Sequence, residues 1–375
     1  MLESESHEQL KREITNRIIE DRKLLDELRA EIRGLRGAMR PIQPRTTTAI
    51  SLVGTDGGNN SLQFDPFIVQ LIRVVDSSNN EYSLEAITPS TNIDRLSERQ
   101  FHSNGTPTSP LGELMYTLGL RHLSELSNFI QTNNDGNVTW IKSYREIVEW
   151  ATLFSIIKNK DFGTDTLIVF DGLLRTKHFA KDNFKKLRDE LDALIDHHRT
   201  KNRRKIYIAG VAKHSKVLAR YRLAMALEHI LTSDFAAYVE IPRDVERLTY
   251  KWAEFSFEDD KEGEINKFVG GKMFFVKFGE GSRDPIWPVD ILMSQKDDAQ
   301  TILGYLLADA LNGFPVPHYP MCLQKAHENA ALVGFDFDIL QDEIFDALRQ
   351  VLGDESQTLD VFRFQDLDPS RARYD

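Results

Sequence analysis

The stretch that decides the fold is AISLVGTDGG, residues 49–58, where an apolar run meets an aspartate and two glycines. Runs of this kind predict a β-strand. Two more follow, FIVQLIRVVD (67–76) and YSLEAIT (82–88), and the sequences DGGNN and SSNN between them have turn compositions. Three consecutive strands with short connections predict an antiparallel meander.

Strands and helices alternate farther along the chain. TDTLIVFDG (164–172) and KIYIAGVAK (205–213) are continuously apolar, as expected for strands that are covered on both faces. Helical patterns occupy 111–130, 142–158, 178–200, 216–231, 296–311, 320–332 and 338–352. Strand-like patterns occupy 272–278 and 288–293. A meander extended by strand–helix units predicts an α/β fold, a mixed sheet flanked by helices in the ribonuclease H-like arrangement.

The ends of the chain differ from its middle. Residues 3–39 repeat apolar side chains at spacings of three, four and seven, which predicts one long amphipathic helix that ends at PIQP (41–44). We assign residues 1–44 to dimerisation or partner docking, 45–335 to the main domain with an expansion at 89–140, and 336–375 to an acidic helical extension.

Charge is distributed unevenly over the 375 residues. The net charge is −11, which argues weakly against a nucleic-acid partner, yet residues 171–222 hold 15 Lys and Arg against six Asp and Glu. A local basic zone can bind phosphates, although a solvated helix face has the same composition. The lone cysteine excludes an intrachain disulfide. The absence of a bilayer-length apolar run or signal peptide predicts a cytoplasmic protein without membrane contact.

Two aspartates end apolar strands and precede glycine, Asp56 in TDGG and Asp171 in FDGLL. In the predicted sheet these strands are neighbours, so both carboxylates are expected at one edge. Such a pair repels unless a divalent cation is bound, and oxygen ligands suit Mn²⁺ or Mg²⁺. The alternative is that both are ordinary Asp-Gly turns.

A third element is HYPMCLQKAH, residues 318–327. Pro320 favours a helix start, and His327 lies two turns along that helix. Tyr319 and His327 are therefore expected to face one site, where an imidazole can bind Mn²⁺ or carry a proton. A histidine that only packs on the core is the competing interpretation.

At this point the chain resembles the NurA nucleases. The residues that carry the resemblance are VGTDGG around Asp56, LIVFDGLL around Asp171, IAGVAKHSK around Lys213 and YPMCLQKAH from Tyr319 to His327. Their order matches the family pattern over about residues 45–335. The resemblance implies a ribonuclease H-like DNA nuclease that binds manganese, forms a homodimer and works with HerA, a hexameric DNA-translocating ATPase.

The resemblance also implies roles for individual residues. Asp56, Asp171 and His327 match the metal-binding positions, together with a helical glutamate that is either Glu149 or its alternative Glu146. Lys213 is expected to contact the scissile phosphate, and Tyr319 completes the catalytic set. The expected DNA-binding residues are Lys213, Ser215, Lys216, Arg175 and Lys177.

These observations predict a metal-dependent deoxyribonuclease that acts as an exonuclease, an endonuclease or both. Its expected cellular role is DNA-end processing or defence against foreign DNA. The alternatives are a non-catalytic adaptor of an ATPase assembly, which works through residues 3–39 and the acidic C-terminal region, and an RNA-directed nuclease of the same fold. Residues 328–375 hold 12 acids and four bases.

Overall fold

The fold is known from a computed structural model that describes residues 4–45, 50–64, 67–131, 139–250, 268–331 and 335–353. Within these ranges it describes only the backbone of residues 4–5, 50–64, 67–68, 250, 335–338 and 341. No helix in the described ranges is long and apolar enough to span a bilayer.

The described strands form one mixed sheet of nine in the order β1-β7-β8-β9-β6-β5-β2-β3-β4. Strands β2, β5 and β6 pair in parallel, and all other neighbours pair antiparallel. The strands are β1 (Arg40–Pro41), β2 (Ile50–Phe64), β3 (Phe67–Asp76), β4 (Glu81–Ile87), β5 (Asp165–Asp171), β6 (Ile206–Val211), β7 (Ala237–Glu240), β8 (Gly271–Lys277) and β9 (Ile286–Leu292).

Helices lie on both faces of this sheet. They are α1 (Ser4–Glu20), α2 (Arg22–Ile32), α3 (Ile93–Glu98), α4 (Pro110–Thr117), α5 (Leu123–Leu126), α6 (Thr139–Asn159), α7 (Asn183–Lys201), α8 (Lys216–Leu227), α9 (Arg243–Tyr250), α10 (Ala299–Ala310), α11 (Met321–Ala330) and α12 (Phe335–Leu352), with 3-10 turns at Arg33–Ala38 and Met293–Asp298. The predicted mixed sheet flanked by helices is therefore confirmed. Its ribonuclease H-like character and the division into three domains stay predictions.

Alternation along β5 decides which face each residue serves. Ile168 and Phe170 join the apolar cluster with α3–α7, whereas Leu167 and Val169 join the cluster with α10 and α11. A third cluster packs α2 and α8 against β7 and β8. Side chains along a strand alternate with a period of two, so the side chain of Asp171 lies on the same face of the sheet as α10 and α11.

One turn prediction is wrong. DGGNN does not separate two strands, because β2 runs on through Gly57 and Gly58, which register opposite Val74 and Arg73 of β3. Glycine is a poor strand residue by itself, but the apolar β3 supplies a continuous ladder of backbone hydrogen bonds. Asp56 therefore lies within β2, where the pairing with β5 stops after Thr55 and Phe170.

The N-terminal region also differs from the single helix predicted over 3–39. Asp21 separates α1 from α2, and a 3-10 turn follows α2. The two helices have different environments. Ile32 of α2 is fully buried, whereas the apolar side chains of α1, namely Leu10, Ile14, Ile18 and Ile19, are exposed. Packing against α8 therefore stabilises α2, and α1 extends beyond that contact.

Candidate nuclease site

The candidate site is built around Asp171, the last residue of β5. The strand before it is buried, and the Asp171 side chain is 16% exposed. Gly172 follows with a φ of 143°, which L side chains rarely adopt, so the chain can leave the sheet at once. The backbone of Gly172 also approaches the neighbouring β6 closely. A Cβ atom on Gly210 of β6 would lie 2.3 Å from the Gly172 carbonyl oxygen, so glycine is required at position 210. The Asp-Gly pair thus presents a carboxylate at the carboxyl edge of the sheet.

The backbone of Asp56 lies on the adjacent parallel strand. Thr55 registers with Phe170, and these two residues directly precede Asp56 and Asp171. The two aspartates therefore occupy neighbouring positions at the same edge, as the sequence predicts for their strands. The side chain of Asp56 lies outside the described part of the chain, so its proposed role stays a prediction.

Tyr319 holds one oxygen of the Asp171 carboxylate. Its hydroxyl donates a hydrogen bond of 3.1 Å to Oδ1 of Asp171. The tyrosine is almost completely buried, and its ring meets the Trp287 ring edge-on at a centroid distance of 4.8 Å. Because both rings are fixed by packing, the hydroxyl restricts the orientation of the carboxylate.

Lys213 lies beside the other carboxylate oxygen. It follows β6 by two residues, and its Nζ lies 3.5 Å from Oδ2 of Asp171 and 5.8 Å from the centre of the Tyr319 ring. The lysine side chain is 45% exposed, so this pair contributes little stability. Its mobile ammonium is well suited to a second anion at the same place.

His327 and the two candidate glutamates belong to helices that pack on the sheet. His327 is exposed on α11, a helix that contacts β2, β3 and β5. Glu149 of α6 forms an ion pair of 3.3 Å with Arg145. Oε2 of Glu146 lies 3.1 Å from Nε2 of His178.

Arg175 is placed differently from the expectation that it binds DNA. Its side chain is 3% exposed and lies between two buried carboxylates. It donates two hydrogen bonds to Asp290, of 2.8 and 2.6 Å, and one of 2.9 Å to Glu246. A guanidinium enclosed in this way is not accessible to a phosphate. Sequence reasoning missed this triad because no local pattern links three residues so far apart.

The remaining predicted DNA-binding residues have mixed environments. Lys216 is exposed at the start of α8. Ser215 is nearly buried, and its Oγ accepts the amide hydrogens of Val217 and Leu218 as the N-cap. Lys177 is half-buried, with Nζ 5.6 Å from the centre of the Phe129 ring. Trp287 was not predicted at all, since nothing in its local sequence marks it as a support for Tyr319.

The chemistry of Asp171 fits a hard divalent cation, since carboxylate oxygens are preferred ligands and the residue ends β5 beside a second aspartate-bearing strand. Among the described side chains, no group of three or more His, Cys, Asp and Glu is arranged to hold a metal. The side chain of Asp56 lies outside that set.

Comparisons with known proteins gave structural matches alone. No family model matches the chain, and no curated protein matches it. The NurA nuclease from Sulfolobus solfataricus is 14% identical with a TM-score of 0.45, over 94% of this chain and 99% of that one. A NurA structure with manganese is 12% identical, with a TM-score of 0.44, over 92% of this chain and 99% of that one.

A third similar structure is NurA bound to dAMP and manganese, 12% identical with a TM-score of 0.43, over 93% of this chain and 98% of that one. These three similar structures are of NurA nucleases, the family that the four sequence motifs resemble.

Proposed function

We propose that this protein is a divalent-metal-dependent deoxyribonuclease that hydrolyses phosphodiester bonds. The observation that carries the proposal is the Asp171 carboxylate at the edge of the sheet, with Tyr319 on one oxygen and Lys213 beside the other. The register of β2 against β5 supports a second aspartate, Asp56, at the same edge.

In this proposal, Asp56, Asp171, His327 and one glutamate, Glu149 or Glu146, hold Mn²⁺ or Mg²⁺. When bound, such ions supply Lewis-acid activation of water and of the phosphate. Tyr319 keeps the Asp171 carboxylate in one orientation, so that the carboxylate does not lose further conformational freedom when DNA binds. Lys213 exchanges its long contact with Asp171 for the incoming phosphate and neutralises part of its charge.

DNA is held by contacts with its backbone in this proposal. Lys213 and Lys216 are exposed near the start of α8, and Lys177 lies in the loop between β5 and α7. Cations that contact phosphates release counterions from DNA, so affinity falls steeply with salt. An affinity independent of salt would contradict this part of the proposal.

The proposed assembly is a homodimer in complex with a HerA-type hexameric ATPase. It is supported by the motif resemblance and by the exposed apolar side chains of α1, which are available to pack against another helix. End processing and defence against foreign DNA require the same hydrolysis, so both cellular roles are compatible with the site.

The test is cleavage of end-labelled linear single-stranded and double-stranded DNA, and of RNA of the same sequence. Wild type and Asp171→Asn are compared with Mn²⁺, with Mg²⁺ and with a chelator, each with and without a HerA-type ATPase. We expect metal-dependent DNA cleavage by the wild type and at least about a hundredfold less by the variant, because a metal ligand and its charge are lost. Equal cleavage by the two proteins would refute the proposed site.

A second candidate function is a non-catalytic adaptor of the ATPase assembly, which the exposed stripe on α1 favours. Its signature would be stable association with the ATPase and no cleavage of DNA or RNA under any of these conditions. Cleavage of RNA alone would instead favour the RNA-directed nuclease.

A further inference from the structure

A groove of about 470 Å³ opens between α8 and the hairpin that joins β8 to β9. We call it the α8 groove. Ser215, Leu218 and Arg222 line it from the helix, and Arg283, Ile286 and Trp287 line it from the hairpin. Sites for small ligands have volumes of about 300–1,000 Å³, so the groove is large enough for a nucleotide.

The charge of the groove is positive in a protein whose net charge is −11. Lys213, Arg222 and Arg283 line it, and Asp284 is the carboxylate among its lining residues. Asp284 is already engaged, since its Oδ2 accepts the amide hydrogen of Gly281 at 2.6 Å and lies 3.8 Å from Nε2 of His318. The groove therefore attracts anions.

Two of these cations have no partner within the described part of the chain. Arg222 and Arg283 are exposed, and neither forms a hydrogen bond or ion pair with a described residue. A guanidinium matches a phosphate with two parallel N–H donors. Two unengaged guanidinium groups on opposite walls of one groove are thus suited to one phosphate group.

The start of α8 adds to this potential without binding the anion by itself. Ser215 accepts the amide hydrogens of Val217 and Leu218 at 3.2 and 3.4 Å, so these donors are occupied. The positive end of the helix dipole remains next to the groove. Side chains rather than backbone amides therefore provide most of the binding.

The apolar part of the groove distinguishes a nucleotide from a simple anion. Leu218 and Ile286 provide a surface for a sugar or base, and Trp287 borders the groove. The indole N–H of Trp287 is buried and has no hydrogen-bond partner in the described structure. Buried donors of this kind are rare because they cost free energy. The Trp287 signal can therefore report binding through the position of its ring beside the groove.

Lys213 connects the groove to the candidate site, because its Nζ also lies 3.5 Å from Asp171. We propose that the α8 groove binds the nucleotide unit next to the scissile phosphate, with its phosphate group between Arg222 and Arg283. The place of this nucleotide in a reaction rests on the proposed nuclease function, whereas the binding itself does not.

The test uses the full chain with ¹⁵N-labelled tryptophan indoles and a chelator, so that no metal contributes. Thymidine 5′-monophosphate, thymidine and inorganic phosphate are titrated separately. The chain has four tryptophans, and Trp287→Phe identifies the Trp287 signal. We expect the monophosphate to shift this signal and to bind at least about tenfold more tightly than either fragment, since it engages both walls.

The variant R222A/R283A should weaken this binding at least about tenfold, because it removes two charge-assisted donors. The matched control K185A/K186A removes two exposed cations of α7 and should leave the affinity unchanged. Thermal unfolding verifies that each variant is folded, and R222Q/R283Q replaces the first variant if it is not. No shift of the Trp287 signal, or equal affinity of R222A/R283A and wild type, would overturn the proposal. Phosphate that binds as tightly as the nucleotide would also refute it.

The same preparations are assayed for DNA cleavage with Mn²⁺. Cleavage without nucleotide binding refutes the α8 groove and leaves the proposed nuclease intact. Nucleotide binding at Trp287 without cleavage refutes the nuclease and supports the groove as a nucleotide site.

Discussion

The Tyr319 hydroxyl donates a hydrogen bond of 3.1 Å to Oδ1 of Asp171, although the two residues are 148 positions apart. It links the carboxyl end of β5 to the segment just before α11. Tyr319 is buried against Trp287, so the bond belongs to a rigid part of the molecule. This hydrogen bond joins two of the four motifs on which the nuclease hypothesis is based.

We predict that Asp171→Asn abolishes DNA cleavage without unfolding the protein. Asparagine retains the acceptor for Tyr319 but removes the negative charge that a divalent cation requires. The measurement is the initial rate of DNA cleavage with Mn²⁺, together with thermal unfolding.

The matched control for this change is Asp165→Asn, at the opposite end of the same strand. Asp165 accepts the amide hydrogen of Lys205 at 2.8 Å, which asparagine can also do. Wild-type cleavage is expected from this control. If both variants lost activity equally, Asp171 would have no special role.

Tyr319→Phe should lower the cleavage rate by about tenfold and the free energy of unfolding by only about 1 kcal/mol. The ring still packs on Trp287, whereas the carboxylate loses the group that orients it. Steady-state rates and denaturant unfolding measure the two effects. The control Tyr305→Phe removes a hydroxyl from a partly buried tyrosine of the same apolar cluster, and a similar rate loss there would argue against positioning.

Arg175→Met should lower the free energy of unfolding by about 3–5 kcal/mol, because it removes the cation from the buried Asp290 and leaves Glu246 with the 3.3 Å ion pair to Arg243. Lys216→Ala should instead leave stability unchanged and reduce the salt slope of DNA binding by about 0.9. Denaturant titration and binding at several salt concentrations separate the roles. A stable Arg175→Met that binds DNA weakly would restore the original DNA-binding expectation.

The exposed stripe of α1 should matter for assembly and not for folding. The triple variant Leu10→Ser, Ile14→Ser and Ile18→Ser is expected to keep the wild-type unfolding temperature, because the three replaced side chains are exposed. It is expected to lose self-association or ATPase binding, because it loses the apolar stripe proposed as the docking surface. Mass measurement by light scattering and co-purification with the ATPase test this. Glu8→Ser with Arg12→Ser on the same helix is the control.

Deleting residues 1–40 is a poorer experiment than this triple variant. It also removes α2, whose Ile32 is buried and whose Arg29 lies 2.7 Å from Glu228. Loss of assembly would then follow from unfolding. Unchanged assembly in the triple variant would refute the docking role of α1.

Asp192→Asn should stabilise the protein at neutral pH. Burial raises the pKa of the Asp192 carboxyl more than the Ser294 hydroxyl lowers it. A carboxyl with a raised pKa favours the folded state when it is protonated, and this contribution is lost as the pH rises through the folded-state pKa. The expected gain is up to about 1 kcal/mol at pH 7, allowing for partial exposure, and it disappears below about pH 4.

Denaturant unfolding of both proteins from pH 3 to pH 8 measures this difference. Glu190→Gln, an exposed position on the same helix, is the control for a change in net charge. A gain that does not depend on pH would show that desolvation of Asp192 is not its cause.

Much of the fold and part of the site can be predicted from the sequence alone. The apolar run before Asp171 predicts a strand covered on both faces, and Pro320 predicts the start of α11 next to Tyr319. Such features depend on what each segment requires locally, namely the burial of apolar side chains and the backbone angles that proline and glycine allow.

Tertiary structure alone decided the path of the chain after each of the two Asp-Gly pairs. After Asp171 the chain turns out of the sheet at Gly172, whereas after Asp56 it continues as strand because β3 lies alongside. The same dipeptide thus has two conformations, since backbone hydrogen bonds to a neighbouring strand outweigh local preference. Arg175 likewise changed from an expected DNA contact to the cation of a buried triad, because its carboxylate partners lie far away in the sequence and meet it only in the folded chain.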